Sequence, residues 1–324
     1  MENLNLPFLR KQLTERRERL EDSAKNLTEP VKIYRLLQQI DRTLERIDKG
    51  SFGRCEVCHD PIEPERLAFD PMLTVCLDHM NTEQQRALEQ DLELAGRVQR
   101  GLLPKENIKV DGWEFSYRYK PAGVVSGDFC DFIEIEDHSF FFVLGDVSGK
   151  GISASLMMSQ LHALIRSFHT FGLPLQEIVR RTNRLFCESI LSNNYATMVF
   201  GKGNPDGIIE FCIAGHNPPL LLKEKNITSI KATGVPVGLF CGSEYGIIKH
   251  TMEPGNSVLV YTDGMTESFS NGNEYGENRL IDSFVQSEAH SADKILENLF
   301  SDHDSFMKSE KPSDDVTVAV LKKI

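Results

Sequence analysis

Four aspartates occupy positions where an apolar, strand-like run gives way to a glycine-rich or polar turn. They are Asp128, Asp146, Asp263 and Asp314. Carboxylates are hard oxygen ligands, which favour Mg²⁺ or Mn²⁺ over zinc. Because several carboxylates in one pocket repel one another unless cations neutralise them, we predict that two divalent ions bind there. Paired ions lower the pKa of a bound water and hold a phosphoryl group, so this pattern could serve an enzyme.

Buried strands would position these side chains, because no two of the four are close in sequence. Residues 140–144 and 258–261 are apolar runs typical of buried strands, and each precedes one of the aspartates. A glycine beside such an aspartate lets the backbone turn sharply and lets a carbonyl group or a water approach an ion. Aspartate next to glycine is also common in ordinary turns, so it is the recurrence of the pattern that favours a metal site.

A second set of potential ligands lies nearer the N-terminus. Cys55 and Cys58 are followed by Cys76 and His79, and paired sulfur and nitrogen donors at this spacing suit one tetrahedral zinc ion. Zinc would then hold together a module too small to fold alone. His59, adjacent to Cys58, is the weaker candidate for the fourth ligand, and a reduced cluster without metal is the alternative interpretation.

The first hundred residues are predominantly helical by pattern. Residues 8–25 and 31–49 are predicted to form two charged helices, with Thr28 capping the second and Pro30 favouring its start. Residues 82–103 carry apolar side chains at helical spacing and predict a third helix. That helix would couple the N-terminal part of the chain to the C-terminal part, although a passive linker is the simpler interpretation.

The remainder predicts alternating helices and strands. Residues 152–170 and 175–191 have amphipathic helical periodicity. In the first helix the expected buried face is Leu156, Met157, Leu161, Leu164, Ile165 and Phe168. In the second helix it is Leu175, Ile178, Val179, Leu185, Phe186 and Ile190. Shorter apolar runs between turn residues predict strands at residues 196–200, 208–214, 257–262 and 316–321.

Composition argues against several classes of function. The chain has 36 Lys+Arg against 48 Asp+Glu, a net charge of −12, which disfavours nucleic acid as a partner because phosphate-binding surfaces need clustered basic residues. No apolar stretch reaches the roughly 18 residues of a membrane span, and the charged N-terminus does not resemble a signal peptide. We therefore expect a cytoplasmic protein without membrane attachment. In that compartment the remaining cysteines are expected to be buried, reduced thiols: Cys130, Cys187, Cys212 and Cys241.

The four aspartate motifs, together with residues 95–104 and 214–220, resemble the SpoIIE-like (RsbU-like) branch of the PPM metal-dependent serine/threonine phosphatases. The resemblance covers residues 90–324 and implies an α+β fold, an α/β/β/α sandwich of two antiparallel sheets flanked by helices. It also implies that Asp128, Asp146 and Asp263 bind metal directly, that the backbone carbonyl of Val147 is a further ligand, and that Asp314 completes the catalytic site.

Other positions of that family pattern are expected to support the site. Asp131 and Asp315 are expected to give supporting hydrogen bonds or to bind a weaker outer metal. His216 is expected near the site, where a structural role is favoured over a catalytic one. The sequence departs from the family at Ser126, where glycine is common, and at Cys130, where an aromatic residue is usual. Both changes leave the carboxylates in place.

Residues 50–80 resemble a zinc finger of the DksA/TraR type. The matching features are Gly53, Pro61, Ile62, residues 65–67 and Pro71, with His79 standing where cysteine is usual. In that family a comparable helical hairpin can reach into RNA polymerase. This sequence lacks a paired-aspartate motif at the expected tip, so RNA polymerase is only a secondary candidate partner.

The sequence thus predicts four segments: a helical hairpin (1–49), a zinc finger (50–80), a coupling helix (81–104) and a phosphatase domain (105–324). The predicted activity is hydrolysis of phosphoserine or phosphothreonine by a water activated by two Mn²⁺ or Mg²⁺ ions. By resemblance, the substrate is a phosphorylated anti-sigma-factor antagonist of a bacterial partner-switching pathway. The coupling helix offers a surface for a homodimer. The alternative is a catalytically silent zinc-finger protein that binds the transcription machinery, and the complete set of aspartates argues against it.

Overall fold

The computed structural model describes residues 6–24, 31–135, 137–190, 194–308 and 313–324. The chain divides into two compact units, Met1–Gln90 and Asp91–Ile324. The helix cap predicted at Thr28 and the helix start predicted at Pro30 lie outside the described residues. In the part of the chain that is described, no helix is both long enough and apolar enough to cross a membrane.

The first unit is a helical hairpin with a small irregular module. Helices α1 (Leu6–Ala24) and α2 (Val31–Asp48) run antiparallel, with ion pairs joining Arg10 to Asp48 and Arg17 to Asp41. A shared apolar core joins the hairpin to the module; its members include Leu9, Leu13, Ile40, Phe52, Ile62 and Leu67. The module contains helix α3 (Pro64–Phe69) and a short 3₁₀ turn, Leu77–His79.

Helix α4 (Thr82–Leu102) starts in the first unit and ends in the second. Its range matches the helix predicted over residues 82–103 to within one residue. The helices after it in the chain are α5 (Gly151–His169), α6 (Leu175–Ser189), α7 (Asp263–Thr266), α8 (Glu277–Gln286) and α9 (Ala292–Met307).

The second unit contains two large sheets in which every strand pairing is antiparallel. The six-stranded sheet has the order β1 (Asn107–Val110), β2 (Trp113–Lys120), β13 (Val316–Lys323), β10 (Ser257–Tyr261), β7 (Leu220–Lys223) and β8 (Asn226–Ser229). The five-stranded sheet has the order β3 (Phe129–Glu134), β4 (Phe140–Val147), β5 (Ala196–Gly203), β6 (Ile208–Ala214) and β9 (Ile248–Thr251). Strands β11 (Phe269–Ser270) and β12 (Asn273–Glu274) form a separate small hairpin.

The two sheets pack face to face, with helices on both outer faces. An aromatic core fills the space between the sheets; it includes Trp113, Phe115, Phe140, Phe142 and Phe211. A second core joins the five-stranded sheet to α5 and α6, and a third joins the six-stranded sheet to α8 and α9. This arrangement confirms the predicted α+β sandwich.

The buried face of α5 agrees with the prediction at Leu161 and Ile165, and Met157, Leu164 and Phe168 pack against the core, but Leu156 differs. The helix buries Ala154, Met158, Leu161 and Ile165, whereas Leu156 is 62% exposed. In α6 the apolar residues are buried or packed as expected except Leu185, which is 42% exposed. Apolar side chains are spread widely around α5, so their spacing alone does not place Leu156, and the sheet beneath the helix decides which side chains are buried.

Cys187 and Cys241 form a disulfide with their Cα atoms 5.3 Å apart, so the prediction of reduced thiols was wrong for this pair. The two cysteines are separated by 54 residues, and nothing in their local sequence indicates pairing. The fold brings them together because the Asn183 side-chain amide on α6 donates to the carbonyl groups of Phe240 and Cys241. Cys130 and Cys212 are free and buried, as predicted.

Candidate functional site

Antiparallel pairing brings the four predicted aspartates to one end of the sandwich. Asp128 and Asp146 lie beside the paired residues Phe129 and Gly145 at the end of β3 and β4. Asp263 follows β10 and Asp314 precedes β13, and these two strands are neighbours in the other sheet. Asp146 lies inside β4, opposite Thr197, and not after the strand as the sequence pattern suggested.

Asp128 is fully buried and is held by two threonine hydroxyls. Thr262 and Thr317 both donate through Oγ1 to Oδ2 of Asp128, at 2.9 Å and 2.6 Å. The backbone N–H of Thr317 donates to Oγ1 of Thr262 at 3.0 Å, which leaves the Thr262 hydroxyl proton free for the carboxylate. The sequence did not predict a role for either threonine. Each lies within three residues of a predicted aspartate, and that proximity could have identified them.

The carboxylates repel one another strongly. Burial, followed by the charge of Asp146, raises the pKa of Asp128 well above its usual range. Burial, followed by the charges of Asp263, Asp314 and Asp315, raises the pKa of Asp146 to about 7. The pKa of Asp263 is raised by burial and by Asp314. Mutual repulsion of this kind is what bound cations relieve.

Two glycines allow the backbone to close around this cluster. A Cβ on Gly127 would lie 2.8 Å from the carbonyl oxygen of Val147 and 3.5 Å from Oδ1 of Asp146. A Cβ on Gly264 would lie 2.0 Å from the carbonyl oxygen of Asp315. The donor set is entirely oxygen, which fits Mg²⁺ or Mn²⁺. Lys150 supplies a cation at the edge of the cluster, with its Nζ 2.9 Å from Oδ2 of Asp314.

The two supporting aspartates are engaged in hydrogen bonds. Asp131 accepts from the guanidinium of Arg166 at 2.7 Å and 2.8 Å, and lies 3.3 Å from His162. Burial raises the pKa of Asp131, but the bonds to His162 and Arg166 outweigh burial and lower it overall. Asp315 accepts from the backbone N–H groups of Ala122 and Gly127, at 2.8 Å and 3.1 Å. Asp131 therefore holds α5 beside the carboxylate cluster, and Asp315 holds the backbone of the loop that precedes Asp128.

His216 is buried between the two sheets. Its Nε2 lies 3.0 Å from the carbonyl oxygen of Tyr261, and its Nδ1 lies 2.8 Å from the hydroxyl of Thr197. Because a carbonyl oxygen only accepts, Nε2 carries the proton and Nδ1 accepts from Thr197. Burial lowers the pKa of His216 to about 4. The imidazole is therefore neutral and joins β5 to the end of β10, which supports a structural role.

The four N-terminal ligand candidates also come together. Among the described residues, Cys55, Cys58, Cys76 and His79 form a group whose ligand atoms all lie within 4.8 Å of one another. Sγ of Cys76 lies 3.8 Å from Sγ of Cys58 and 3.2 Å from Nδ1 of His79. Burial raises the pKa of the Cys55 thiol, but backbone N–H groups outweigh burial and lower it to about 6. His59 is outside this group.

Comparison with known proteins identifies one matching family and several similar proteins. The family described as Stage II sporulation protein E (SpoIIE) matches residues 136–323. Protein IcfG of Synechocystis sp. is 28% identical in an alignment over 225 residues that covers 60% of this chain and 36% of IcfG. Phosphoserine phosphatase RsbU of Bacillus subtilis is 25% identical over 245 residues, which are 74% of this chain and 72% of RsbU.

Solved structures show the same fold. The SiaA-PP2C domain of Pseudomonas aeruginosa superimposes with a TM-score of 0.64 at 19% identity, covering 74% of this chain and 98% of that domain. The chain therefore spans nearly the whole of this PP2C domain but, at 36%, little more than a third of the length of IcfG.

Proposed function

The chain belongs to the SpoIIE family, and from that premise we propose that it is a metal-dependent phosphoprotein phosphatase. It removes phosphate from phosphoserine or phosphothreonine on a regulatory protein. The observation that carries the proposal is the convergence of four mutually repelling aspartates at one end of the sandwich, with raised pKa values at Asp128, Asp146 and Asp263. Such a cluster needs cations, and its ligands suit Mn²⁺ or Mg²⁺.

The residues that would hold two ions are Asp128, Asp146, Asp263, Asp314 and the carbonyl group of Val147. When bound, ions of this class lower the pKa of a water and neutralise charge that develops on a phosphoryl group. The contribution of the chain is to fix the ligands: the two threonines hold Asp128, and Asp315 holds the loop that precedes it. Direct hydrolysis by water requires no covalent enzyme intermediate, so the buried thiols of Cys130 and Cys212 need no catalytic role.

The proposed substrate is a phosphorylated anti-sigma-factor antagonist in the cytoplasm, as the resemblance to RsbU-like phosphatases implies. The name of the similar protein RsbU, phosphoserine phosphatase, supports phosphoserine as the group that is hydrolysed. The test is phosphate release from such a protein, purified in its phosphoserine form, with Mn²⁺, with Mg²⁺ and with EDTA. We expect release with either ion and none with EDTA. A chain that binds no Mn²⁺ and releases no phosphate would instead favour the catalytically silent protein that binds the transcription machinery.

The N-terminal group is proposed to hold one structural zinc ion through Cys55, Cys58, Cys76 and His79. The proximity of their ligand atoms, within 4.8 Å, supports this assignment, because tetrahedral zinc needs four such donors in one place. The variant His79→Ala should bind zinc more weakly and melt at a lower temperature, whereas the control His59→Ala should retain the zinc content of the wild type. Full zinc content and affinity in His79→Ala would remove His79 from the ligand set.

Helix α4 is proposed to be the surface of a homodimer. It exposes Leu94 by 52% and Val98 by 60%, one turn apart, while Gly96 and Gln99 are buried on its other side. Exposed apolar residues at this spacing form a stripe that a second copy of the helix could cover. Analytical ultracentrifugation should give a dimer for the wild type and a monomer for Leu94→Glu/Val98→Glu; a monomeric wild type would exclude the proposed dimer.

A further inference from the structure

Helix α4 is clamped to the loop that carries Asp128. Gln99 is only 2% exposed, and both ends of its side-chain amide bind the backbone of Ser126. Nε2 donates to the carbonyl oxygen of Ser126 at 2.6 Å, and Oε1 accepts from the N–H of Ser126 at 3.0 Å. One side chain therefore satisfies both backbone groups of one buried residue, which fixes that residue in position and in orientation.

A further hydrogen bond connects Ser126 to the predicted metal ligand Asp128. The hydroxyl oxygen of Ser126 accepts from the backbone N–H of Asp128 at 3.0 Å. A continuous path of hydrogen bonds therefore runs from α4 through Ser126 to Asp128. This last bond needs a side-chain hydroxyl at position 126, which the glycine expected there from the family pattern would not offer.

A second contact brings the same helix against the same loop. Gly96 lies one turn before Gln99, and a Cβ at this position would be 2.5 Å from the carbonyl oxygen of Val124. A backbone oxygen cannot move aside as the end of a flexible side chain can. Only glycine at this position therefore permits the close approach that lets Gln99 reach Ser126.

We infer that Gln99 is a positioning residue for the metal site, because it fixes the backbone of Ser126, whose hydroxyl in turn binds the N–H of Asp128. The inference rests on the proposed function, because it treats Asp128 as a metal ligand. Groups that orient a metal ligand through hydrogen bonds tune the affinity for the ion. Loss of the Gln99 amide would break both bonds at once and release Ser126, the residue that binds the N–H of Asp128.

The test uses the full-length chain and measures Mn²⁺ affinity by isothermal titration calorimetry. Gln99→Met preserves the length of the side chain and removes both hydrogen bonds. Its matched control is Gln90→Met, the same change at an exposed position of the same helix. We expect Gln99→Met to bind Mn²⁺ about tenfold more weakly or worse, and Gln90→Met to bind as the wild type does.

A second pair of variants tests the position of the helix with Gln99 intact. Gly96→Ala should push α4 from the loop and weaken Mn²⁺ binding. Gly101→Ala is the control, since a Cβ there has no atom within 4 Å, and it should bind Mn²⁺ normally. Hydrogen–deuterium exchange without metal should be faster in residues 126–128 of Gly96→Ala and Gln99→Met than in either control. The Gly96 pair also tests the inference if Gln99→Met does not fold.

The outcomes separate this inference from the proposed function. A wild type that binds no Mn²⁺ would overturn the proposed function and the inference together. If the wild type binds Mn²⁺, and Gln99→Met and Gly96→Ala melt at lower temperatures but bind it equally well, then Gln99 only docks the helix. That second result would overturn the inference and leave the proposed function standing.

Discussion

At Asp128 one carboxylate oxygen accepts hydrogen bonds from two hydroxyl groups, and these bonds fix the orientation in which the carboxylate can bind a metal ion. Oδ2 is engaged by Thr262 and Thr317, while the carboxylate also contacts Asp146. The sequence predicts Asp128 because it follows a recognisable turn motif. It could not predict the two threonine contacts, because Thr262 and Thr317 are 55 residues apart and meet only when β10 pairs with β13.

Removing one of these hydroxyls should weaken the metal site without disturbing the fold. Thr317→Val keeps the shape of the side chain and loses the donor to Asp128. We expect Mn²⁺ affinity to fall by about tenfold to a hundredfold, the effect typical of groups that orient a metal ligand. Thr317→Ser, which retains a hydroxyl, should stay near the wild type in calorimetric titration. Equal affinity for Thr317→Val and Thr317→Ser would show that the hydroxyl does not matter.

His216 should make stability depend on pH. Burial lowers its folded-state pKa from 6.5 to about 4, so the unfolded chain binds the proton more readily than the folded chain. The stability contribution is therefore complete above about pH 6.5 and is lost as pH falls toward 4, by about 3 kcal/mol in total. Melting curves between pH 8 and pH 4 should show the difference between the wild type and His216→Gln shrinking as pH falls. A difference that stays constant with pH would contradict this assignment.

At the scale of helices and strands, the local pattern predicts where the elements lie better than it predicts which of their faces are buried. The strands predicted at residues 208–214 and 257–262 match β6 and β10 to within one residue. Strand β4 extends past its predicted end because Gly145, Asp146 and Val147 continue to pair with β5. On α5 most of the predicted apolar residues are buried or packed against the core, but Leu156 was placed incorrectly because it fits the periodicity and has no sheet beneath it. Pairing partners and covering layers are properties of the fold, and a local pattern does not contain them.

The corrected face of α5 can be tested by a matched pair of truncations. Met158 is fully buried against the five-stranded sheet, whereas Leu156 lies on the exposed side of the same helix. Met158→Ala should lower the free energy of unfolding by about 2–5 kcal/mol because it leaves a cavity. Leu156→Ala should change it by less than about 0.5 kcal/mol. Urea denaturation measures both, and a larger loss in Leu156→Ala would restore the original prediction for this helix.

At the scale of the whole molecule, the topology creates the site. The aspartates come from both sheets, and only the face-to-face packing of the two sheets brings Asp128 and Asp146 to the hydroxyls and carboxylates at the ends of β10 and β13. The sequence predicted the members of this set from their motifs, and family resemblance supplied the two antiparallel sheets. The clamp from Gln99 and the disulfide between Cys187 and Cys241 were not predictable, because each joins segments that are distant in sequence and whose local patterns carry no signal of the contact.

We propose that the four aspartates form a hydrolytic two-ion site. The most direct test measures phosphate release from a phosphoserine protein, at saturating Mn²⁺, by the wild type, Asp146→Asn and Asp263→Asn. Asp206→Asn is the control, because it makes the same change on an exposed turn away from the site. We expect the first two variants to lose at least about a hundredfold in rate and the control to match the wild type. Activity in Asp146→Asn and Asp263→Asn equal to that of the control would contradict the claim.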